Sequence, residues 1–163
     1  MAIHKLDLGE FDEIDYHLIA IHTSLEDYRL AYFINQKLPI NLGKNKNEIQ
    51  INVKEGETKF SRFYYHDNEK AISWNLIQNK NEVIQLKNDK GQNNLFSNIS
   101  VEVSTKVYLL PEFKKVDYFL KIENLEHDLN VAAIQTLLNT IDSISTAYTV
   151  ETNKIKSKNN LIF

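Results

Sequence analysis

The sequence contains no cysteine and only four glycines. The absence of cysteine excludes disulfide bonds, thiolate nucleophiles and every metal site that needs a thiolate ligand. None of the patterns G-x-G-x-x-G, G-x-x-x-x-G-K-[ST] and G-x-S-x-G occurs, so no familiar loop is present to hold phosphates or a nucleophilic serine. The sequence therefore gives no support for nucleotide chemistry, and we predict no cofactor.

The sequence also lacks a surplus of positive charge, since its formal net charge is −3 and its pI is about 6.0. No global positive field draws such a protein to phosphates, so nucleic-acid binding would need a local patch. The run Arg62-Phe63-Tyr64-Tyr65 is the candidate for base stacking on a sheet face. We favour the competing interpretation, in which these aromatic side chains fill a core.

The first ten residues have no apolar core of the kind that signal peptides carry, and no uncharged run is long enough to span a bilayer. These two absences predict a cytoplasmic protein. At 163 residues, 42% of them hydrophobic, the chain is long enough for one domain with a substantial core.

We assign residues 1–150 to one domain and predict that residues 151–163 form a flexible C-terminal tail. The tail carries Lys154, Lys156 and Lys158 and has little to bury. Its apolar ending, Leu161-Ile162-Phe163, leaves docking on the domain or on a neighbour as the alternative.

A short pattern, F-x-x-[IV]-D-Y-x-L, occurs twice, at residues 11–18 and again at residues 113–120. Each copy leads into an apolar run that is followed by residues at helical spacing. The first run, Ile14 to His22, has apolar side chains at both alternating positions, which is typical of a strand covered on both faces. We therefore predict two related strand-helix units whose strands lie side by side and parallel at the centre of a sheet.

The remaining elements follow from periodicity and from helix-ending residues. One helix is predicted to run from a capping box at Thr23 to Glu26 as far as Pro39, and a second from Asn124 to Ile141. Thr58 to Tyr65, Ala71 to Ile77 and Glu82 to Lys87 predict an antiparallel meander. The fold class is α+β: a mostly antiparallel sheet with two helices on one face, and a ferredoxin-like split βαβ plan with an inserted β-meander as the first topology.

The nine residues from Leu110 to Tyr118 read L-P-E-F-K-K-V-D-Y and resemble the signature of the IPExxxVDY family, a group of small bacterial proteins. Pro111, Glu112, Val116, Asp117 and Tyr118 match the signature as they stand, and Leu110 replaces its isoleucine. The family is named for the motif and not for an activity. The resemblance therefore implies no substrate, cofactor or catalytic residue.

The repeated aspartates, Asp15 and Asp117, are the most specific polar feature of the chain. Strand alternation places both on the face away from Tyr16 and Tyr118, and it groups them with His17, Phe119 and Lys121 as candidate binding residues. One interpretation is a pair that shares a proton or binds a cation. The other is structural: Lys121, Lys115 or Arg29 neutralises the carboxylates, or backbone amides at the strand entrance donate to them.

Two further expectations concern side chains. Tyr16 and Tyr118 are predicted to be core residues whose hydroxyls reach a partner at the rim. The five histidines show no ligand spacing such as H-E-x-x-H, so no metal ligand is assigned.

Three classes of function remain. The first, which we favour, is a non-catalytic module that binds a protein partner or itself through a sheet face or edge, with a homodimer preferred over a monomer. The second is an RNA-associated accessory protein. The third is an enzyme of an unrecognised kind, for which the sequence offers no catalytic residue.

Overall fold

The computed structural model describes residues 16–88, 100–124 and 129–163. Asp15 and the first five residues of the first motif copy, 11–15, lie outside these ranges. The described residues form ten strands and two α-helices. In chain order they are β1 (Tyr16–Thr23), α1 (Asp27–Lys37), β2 (Gly43–Lys44), β3 (Ile49–Val53), β4 (Gly56–Phe60), β5 (Arg62–Asp67), β6 (Ile72–Gln78), β7 (Lys80–Asn88), β8 (Ser100–Tyr108), β9 (Tyr118–Asn124), α2 (Val131–Leu138) and β10 (Ile144–Thr149).

Six strands make an antiparallel sheet in the order β10-β1-β9-β6-β5-β2, and two separate pairs, β3–β4 and β7–β8, complete the strands. Both helices pack on one face of the sheet. The protein is therefore α+β, as the sequence predicts. The elements β1, α1, β6, β9, α2 and β10 follow the β-α-β-β-α-β order of a ferredoxin-like fold. None of the helices in the described ranges is long and apolar enough to span a membrane.

The two motif strands, β1 and β9, lie side by side in the interior of the sheet, but they are antiparallel. The predicted parallel pairing is wrong because a split βαβ unit places a third strand between its two parallel strands. Here β9 separates the parallel strands β1 and β6. Tyr16 consequently stands opposite Glu123, and Tyr118 stands opposite Ile21, so the two tyrosines lie at opposite ends of the pair.

The predicted meander is also wrong, because its three strands do not pair in succession. The first divides at Ser61 into β4, which pairs with β3, and β5, which pairs with β6. The third, β7, leaves the main sheet and pairs along its whole length with β8. The turning point between β6 and β7 is one residue, Asn79, which is fully buried.

Asn79 binds the segment that carries the L-P-E-F-K-K-V-D-Y motif. Its main-chain N–H donates to the main-chain carbonyl of Asp117 at 3.0 Å, and its main-chain carbonyl accepts from the amide of Leu109 at 2.8 Å. Its side-chain Nδ2 donates to the carbonyls of Phe113 (2.9 Å) and Val116 (2.8 Å), while Oδ1 accepts from the amide of Leu110 at 2.9 Å. One side chain therefore bonds three backbone groups of this segment, and two of them, the Leu110 amide and the Val116 carbonyl, have no other partner among the described residues.

Both faces of the sheet are covered by apolar side chains. On the helix side, Ile19 and Ile21 of β1 pack with residues such as Leu30 of α1 and Leu138 of α2. On the far side, Leu18 and Ala20 pack with β3–β4, the motif segment and the C-terminal residues. The prediction that β1 is buried on both faces is confirmed.

Both helices begin later than predicted. Glu26 precedes α1 without a side-chain cap, and Thr23 instead donates from Oγ1 to the carbonyl of Ser143 at 2.6 Å. The second helix starts at Val131, where the side chain of Asn130 accepts from the amide of Ala133 at 3.0 Å. Residues 125–128 of the predicted second helix lie outside the described residues.

The C-terminal segment, residues 151–163, packs on the far face of the sheet, which differs from the flexible tail expected from its lysines. Ile155 and Leu161 are almost fully buried, and two short 3₁₀ turns lie at Thr152–Lys154 and Lys158–Leu161. Glu112 of the motif accepts from the amides of Lys156 (2.7 Å) and Ser157 (2.8 Å) and from the Ser157 hydroxyl. Buried apolar anchors and a carboxylate therefore fix the segment that lysine content alone would leave free.

Replacing Asn79 with alanine should lower the free energy of unfolding by about 2 kcal/mol or more, because the buried Leu110 amide and Val116 carbonyl lose their partners at about 1 to 3 kcal/mol each. Asn79→Asp should also destabilise, since a carboxylate cannot donate to the Phe113 and Val116 carbonyls. The matched control is Asn52→Ala at an exposed strand position, expected to change stability by about 0.5 kcal/mol or less. Urea unfolding measures all three, and an Asn79→Ala value equal to the control would contradict this role.

The Glu112 carboxylate should make stability depend on pH. Partial burial alone raises its pKa, but hydrogen bonds from the Ser157 and Lys156 amides and the Ser157 hydroxyl outweigh this effect, so the pKa lies below its ordinary value of 4.5. The stabilisation is therefore present above pH 4.5 and is lost as pH falls through the lowered pKa.

Glu112→Gln should cost about 1 kcal/mol at neutral pH, and its difference from wild type should shrink in acid as the wild-type carboxyl takes up a proton. Urea unfolding between pH 7 and pH 3 gives both values, with Glu57→Gln on exposed β4 as the control. A Glu112→Gln difference that stays constant across this range would contradict the assignment.

Candidate functional site

The four predicted binding residues that the structure describes do not form one site. His17 is exposed and stands opposite Ile122, whose side chain belongs to the helix-side core, whereas Phe119 and Lys121 are buried on the far side. Tyr16 shares that far side, with its ring 5.0 Å from the Lys121 ammonium. The predicted separation of Tyr16 from Phe119 and Lys121 is therefore wrong, because the register pairs the even-numbered residues of β1 with the odd-numbered residues of β9, and opposed residues share a face.

Asp117 lies at the entrance to β9, and both of its carboxylate oxygens have partners. Oδ2 accepts from the amide of Thr23 at 2.9 Å, and Oδ1 binds the ammonium of Lys80 at 2.8 Å. This is the structural arrangement expected from the sequence, except that the cation is Lys80 rather than Lys121, Lys115 or Arg29. Asp15 lies outside the described residues, so the shared-proton pair stays a hypothesis.

Tyr118 is buried and donates its hydroxyl to the carbonyl of Leu25 at 2.9 Å, as predicted. Burial, followed by the negative charges of Asp27, Asp117 and Glu26, raises its pKa to about 12. Tyr16 differs: its hydroxyl is buried and has no hydrogen-bond partner among the described residues. Burial, and then the charge of Glu123, raises the pKa of Tyr16 as well.

The motif residues serve the architecture. Leu110 and Val116 are buried in the far-side core, Pro111 begins a 3₁₀ turn at Pro111–Phe113, and Glu112 holds the C-terminal segment. Asp117 binds the β1 end and Lys80 at the base of the ribbon formed by β7 and β8. These side chains therefore hold separate parts of the fold together.

A cluster of cations and aromatic rings lies under the C-terminal segment. Lys121 is only 4% exposed, and its ammonium reaches Glu123 at 2.5 Å and the carbonyl of Leu161 at 2.8 Å. The Phe163 ring lies 4.7 Å from that ammonium and 4.6 Å from the Arg62 guanidinium. These distances suit cation–π contacts, which hold the end of the segment against the sheet.

Arg62 and its aromatic neighbours are engaged inside the protein rather than displayed for base stacking. Nε of Arg62 donates to Asn75 at 2.8 Å, and burial lowers the pKa of its guanidinium. Phe63 is buried in the helix-side core, and Tyr65 packs against the same core. Phe63 and Tyr65 therefore pack toward the interior, as we favoured from the sequence, whereas Tyr64 is half-buried with its ring 5.3 Å from the Arg62 guanidinium.

A polar cleft of about 270 Å³ lies beside Asp117 and is lined by Thr23, Ser24, Leu25, Gln78, Lys80, Asp117 and Tyr118. Its charged groups already bind one another through the Lys80–Asp117 ion pair. Within the described ranges, no group of three or more His, Asp or Glu side chains is placed to hold a metal ion. The polar atoms of this cleft thus meet internal structural needs.

A larger cleft, of about 450 Å³, opens on the helix side at the sheet end where β1 begins. Trp74 and Ile72 of β6 lie beneath it, and α2 forms one wall. Its lining is apolar except for two charged residues: Leu38, Pro39, Ile40, Asp67, Lys70, Ile72, Trp74, Leu129, Ala133, Ile134 and Leu137. Size and lining both match clefts that bind apolar groups.

The sequence did not predict this cleft because its residues come from three separate segments, 38–40, 67–74 and 129–137. The local patterns predicted the strand that carries Trp74 and the helix α2 only as elements of the fold. The one available signal is Leu137, which extends the apolar stripe of α2 and is 40% exposed.

Removing the Tyr118 hydroxyl should be much milder than removing its ring. Tyr118→Phe should cost about 1 kcal/mol, because one hydrogen bond to Leu25 is lost. Tyr118→Ala should cost about 3 to 5 kcal/mol, because it leaves a cavity beside β1 and α1. Urea unfolding measures both variants, and equal midpoints would refute the contrast.

A scan of known protein-family models, a search of curated proteins and a search of solved structures each find no match to this chain. The resemblance to the IPExxxVDY family therefore rests on the nine-residue motif.

Proposed function

We propose that this chain is a non-catalytic protein-interaction module, and that the apolar cleft between α2 and the start of β6 holds an apolar segment of a partner protein. The observation that carries the proposal is the cleft itself. About 450 Å³ of space is lined by aliphatic side chains and one indole, and among the described residues Asp67 and Lys70 are the only charged ones that line it.

The form of the cleft favours a peptide segment as the occupant. A groove bordered by a helix and floored by a sheet is the kind that receives the apolar side of an amphipathic helix. Leu137, 40% exposed at the rim, supplies apolar contact, while Asp67 and Lys70 offer one charge of each sign to polar flanks of the segment.

The two alternatives, an RNA-associated protein and an enzyme, have less support. Two of the three aromatic residues that would stack on bases, Phe63 and Tyr65, pack with the core, and Lys80 beside Asp117 is held in an ion pair. We further propose that the chain belongs to the bacterial IPExxxVDY family, is cytoplasmic and forms a homodimer. The motif supports the family, the composition supports the cytoplasmic location, and an open strand edge in the described part of the chain supports the homodimer.

The test uses Trp74, the only tryptophan of the chain, as a reporter under the cleft. The neutral apolar dye N-phenyl-1-naphthylamine should quench its emission by energy transfer on binding. Leu137→Lys should weaken dye binding about fivefold or more, because an apolar contact at the rim is replaced by a charge. The matched control is Leu86→Lys on β7, which is 67% exposed and does not line the cleft.

The same three proteins, immobilised, should then be exposed to native lysate of the source organism. A partner retained by wild type and Leu86→Lys but lost from Leu137→Lys supports the proposal, provided that the purified partner also shifts Trp74 emission. Dye binding that leaves Trp74 unquenched, or a partner held equally by all three proteins, would overturn it.

A further inference from the structure

The outer edge of β8 is open among the residues that the structure describes. The strand pairs with β7 over residues 100–108, and none of the described residues pairs with its other side. The edge strand β10 of the main sheet, in contrast, has its outer backbone groups bonded by side chains. Asn139, at the C-terminal end of α2, bonds both the amide and the carbonyl of Ala147, and Gln135 accepts from the amide of Thr149. Side-chain amides thus occupy the outer edge of β10, whereas β8 has no such cover in the described ranges.

We propose that a second copy of this chain adds to the β8 edge, antiparallel to the first, about a two-fold axis at Ser104. This dimer is one form of the protein-binding role proposed above, but it uses the β8 edge and not the apolar cleft. It joins β7–β8 of each copy into one four-stranded ribbon. The two-fold axis makes the contact isologous, so that every pairing occurs twice.

The charges of β8 are complementary in this register. With Ser104 opposite its own counterpart, Glu102 stands opposite the second copy's Lys106, and Lys106 stands opposite the second copy's Glu102. Both side chains are exposed, and neither forms an ion pair within the described residues. Val101 meets the second copy's Val107, and Val103 meets its Thr105, which are favourable β-branched pairs.

The neighbouring registers are worse. An axis at Glu102 sets two carboxylates against each other, and an axis at Lys106 does the same with two ammonium groups. An axis at Val103 or Thr105 leaves both charges opposite neutral residues. The open edge of β3 offers no comparable selection, because residues 49–53 include no charged side chain.

Exposed apolar side chains lie on the same β7–β8 ribbon. Ile84 and Leu86 on β7 are 65% and 67% exposed, and they lie on one face of the ribbon with Ser104 and Glu102 as their cross-strand neighbours. A two-fold axis perpendicular to the ribbon keeps faces together, so the Ile84 and Leu86 pairs of both copies share one side of the four-stranded ribbon. Val101, which is 49% exposed, gains an apolar neighbour on the other side.

A cysteine scan tests the register directly, because the chain has no cysteine of its own. Opposed Cα atoms in an antiparallel pair lie about 4.5 to 5.5 Å apart, within the span that a disulfide bridges. Ser104→Cys should therefore form a disulfide-linked dimer under mild oxidation. Ser100→Cys is the matched control, since its counterpart would lie about 26 Å away along the strands.

Charge reversal tests the energetics by sedimentation equilibrium of the full chain. Glu102→Lys alone, or Lys106→Glu alone, places like charges opposite each other twice and should weaken the dimer about tenfold. The double variant Glu102→Lys with Lys106→Glu restores opposite pairs and should recover wild-type affinity. Glu57→Lys, an equal change of charge at an exposed position of β4, should leave the affinity of the dimer unchanged.

Three outcomes would overturn the proposal: wild type sedimenting only as a monomer at tens of micromolar, equal cross-linking of Ser104→Cys and Ser100→Cys, or a dimer indifferent to the single charge reversals. None of them bears on the apolar cleft, whose Leu137→Lys variant should dimerise normally. Loss of dye binding in that variant would in turn leave the β8 dimer untouched.

Discussion

The fold depends on one buried amide. Between β6 and β7 the chain must leave the main sheet, and the segment from Leu109 to Asp117 must cross the same region without regular secondary structure. Asn79 meets both needs, because its main chain bonds Asp117 and Leu109 and its side chain bonds Leu110, Phe113 and Val116. Asparagine suits the position because a single side chain both donates twice and accepts. An aliphatic residue of similar size would fill the space and leave the backbone unsatisfied.

The sheet is the other constraint. Its interior strands are covered on both faces, so the protein needs two sets of covering elements, and the helices supply only one. The far face takes its cover from strand pairs, the motif segment and the C-terminal residues. This explains why the motif residues bind several distant segments: Glu112 accepts hydrogen bonds from Ser157, and Asp117 binds Thr23 and Lys80. They hold the cover onto the far face.

The sequence predicts well those features that repeat at a fixed period. The double burial of β1, the two helices on one face and the α+β class all follow from alternation and helical spacing. It predicts poorly the contacts between distant residues. Asp117 pairs with Lys80 rather than with a nearby lysine, and Asn79 resembles an ordinary turn residue until its partners are placed around it. The C-terminal lysines conceal Ile155 and Leu161, whose burial depends on a surface formed by other segments.

The strand order also determines when the centre of the protein can form during synthesis. The neighbours of β1 are β9, at Tyr118–Asn124, and β10, at Ile144–Thr149. On the ribosome, β1 therefore emerges early and has neither of these partners until most of the chain has been made. Leu18, Ile19, Ala20 and Ile21, fully buried in the finished protein, stay without their sheet neighbours throughout that interval. Long-range pairing of this kind is slow and leaves apolar strands exposed to aggregation until it is complete.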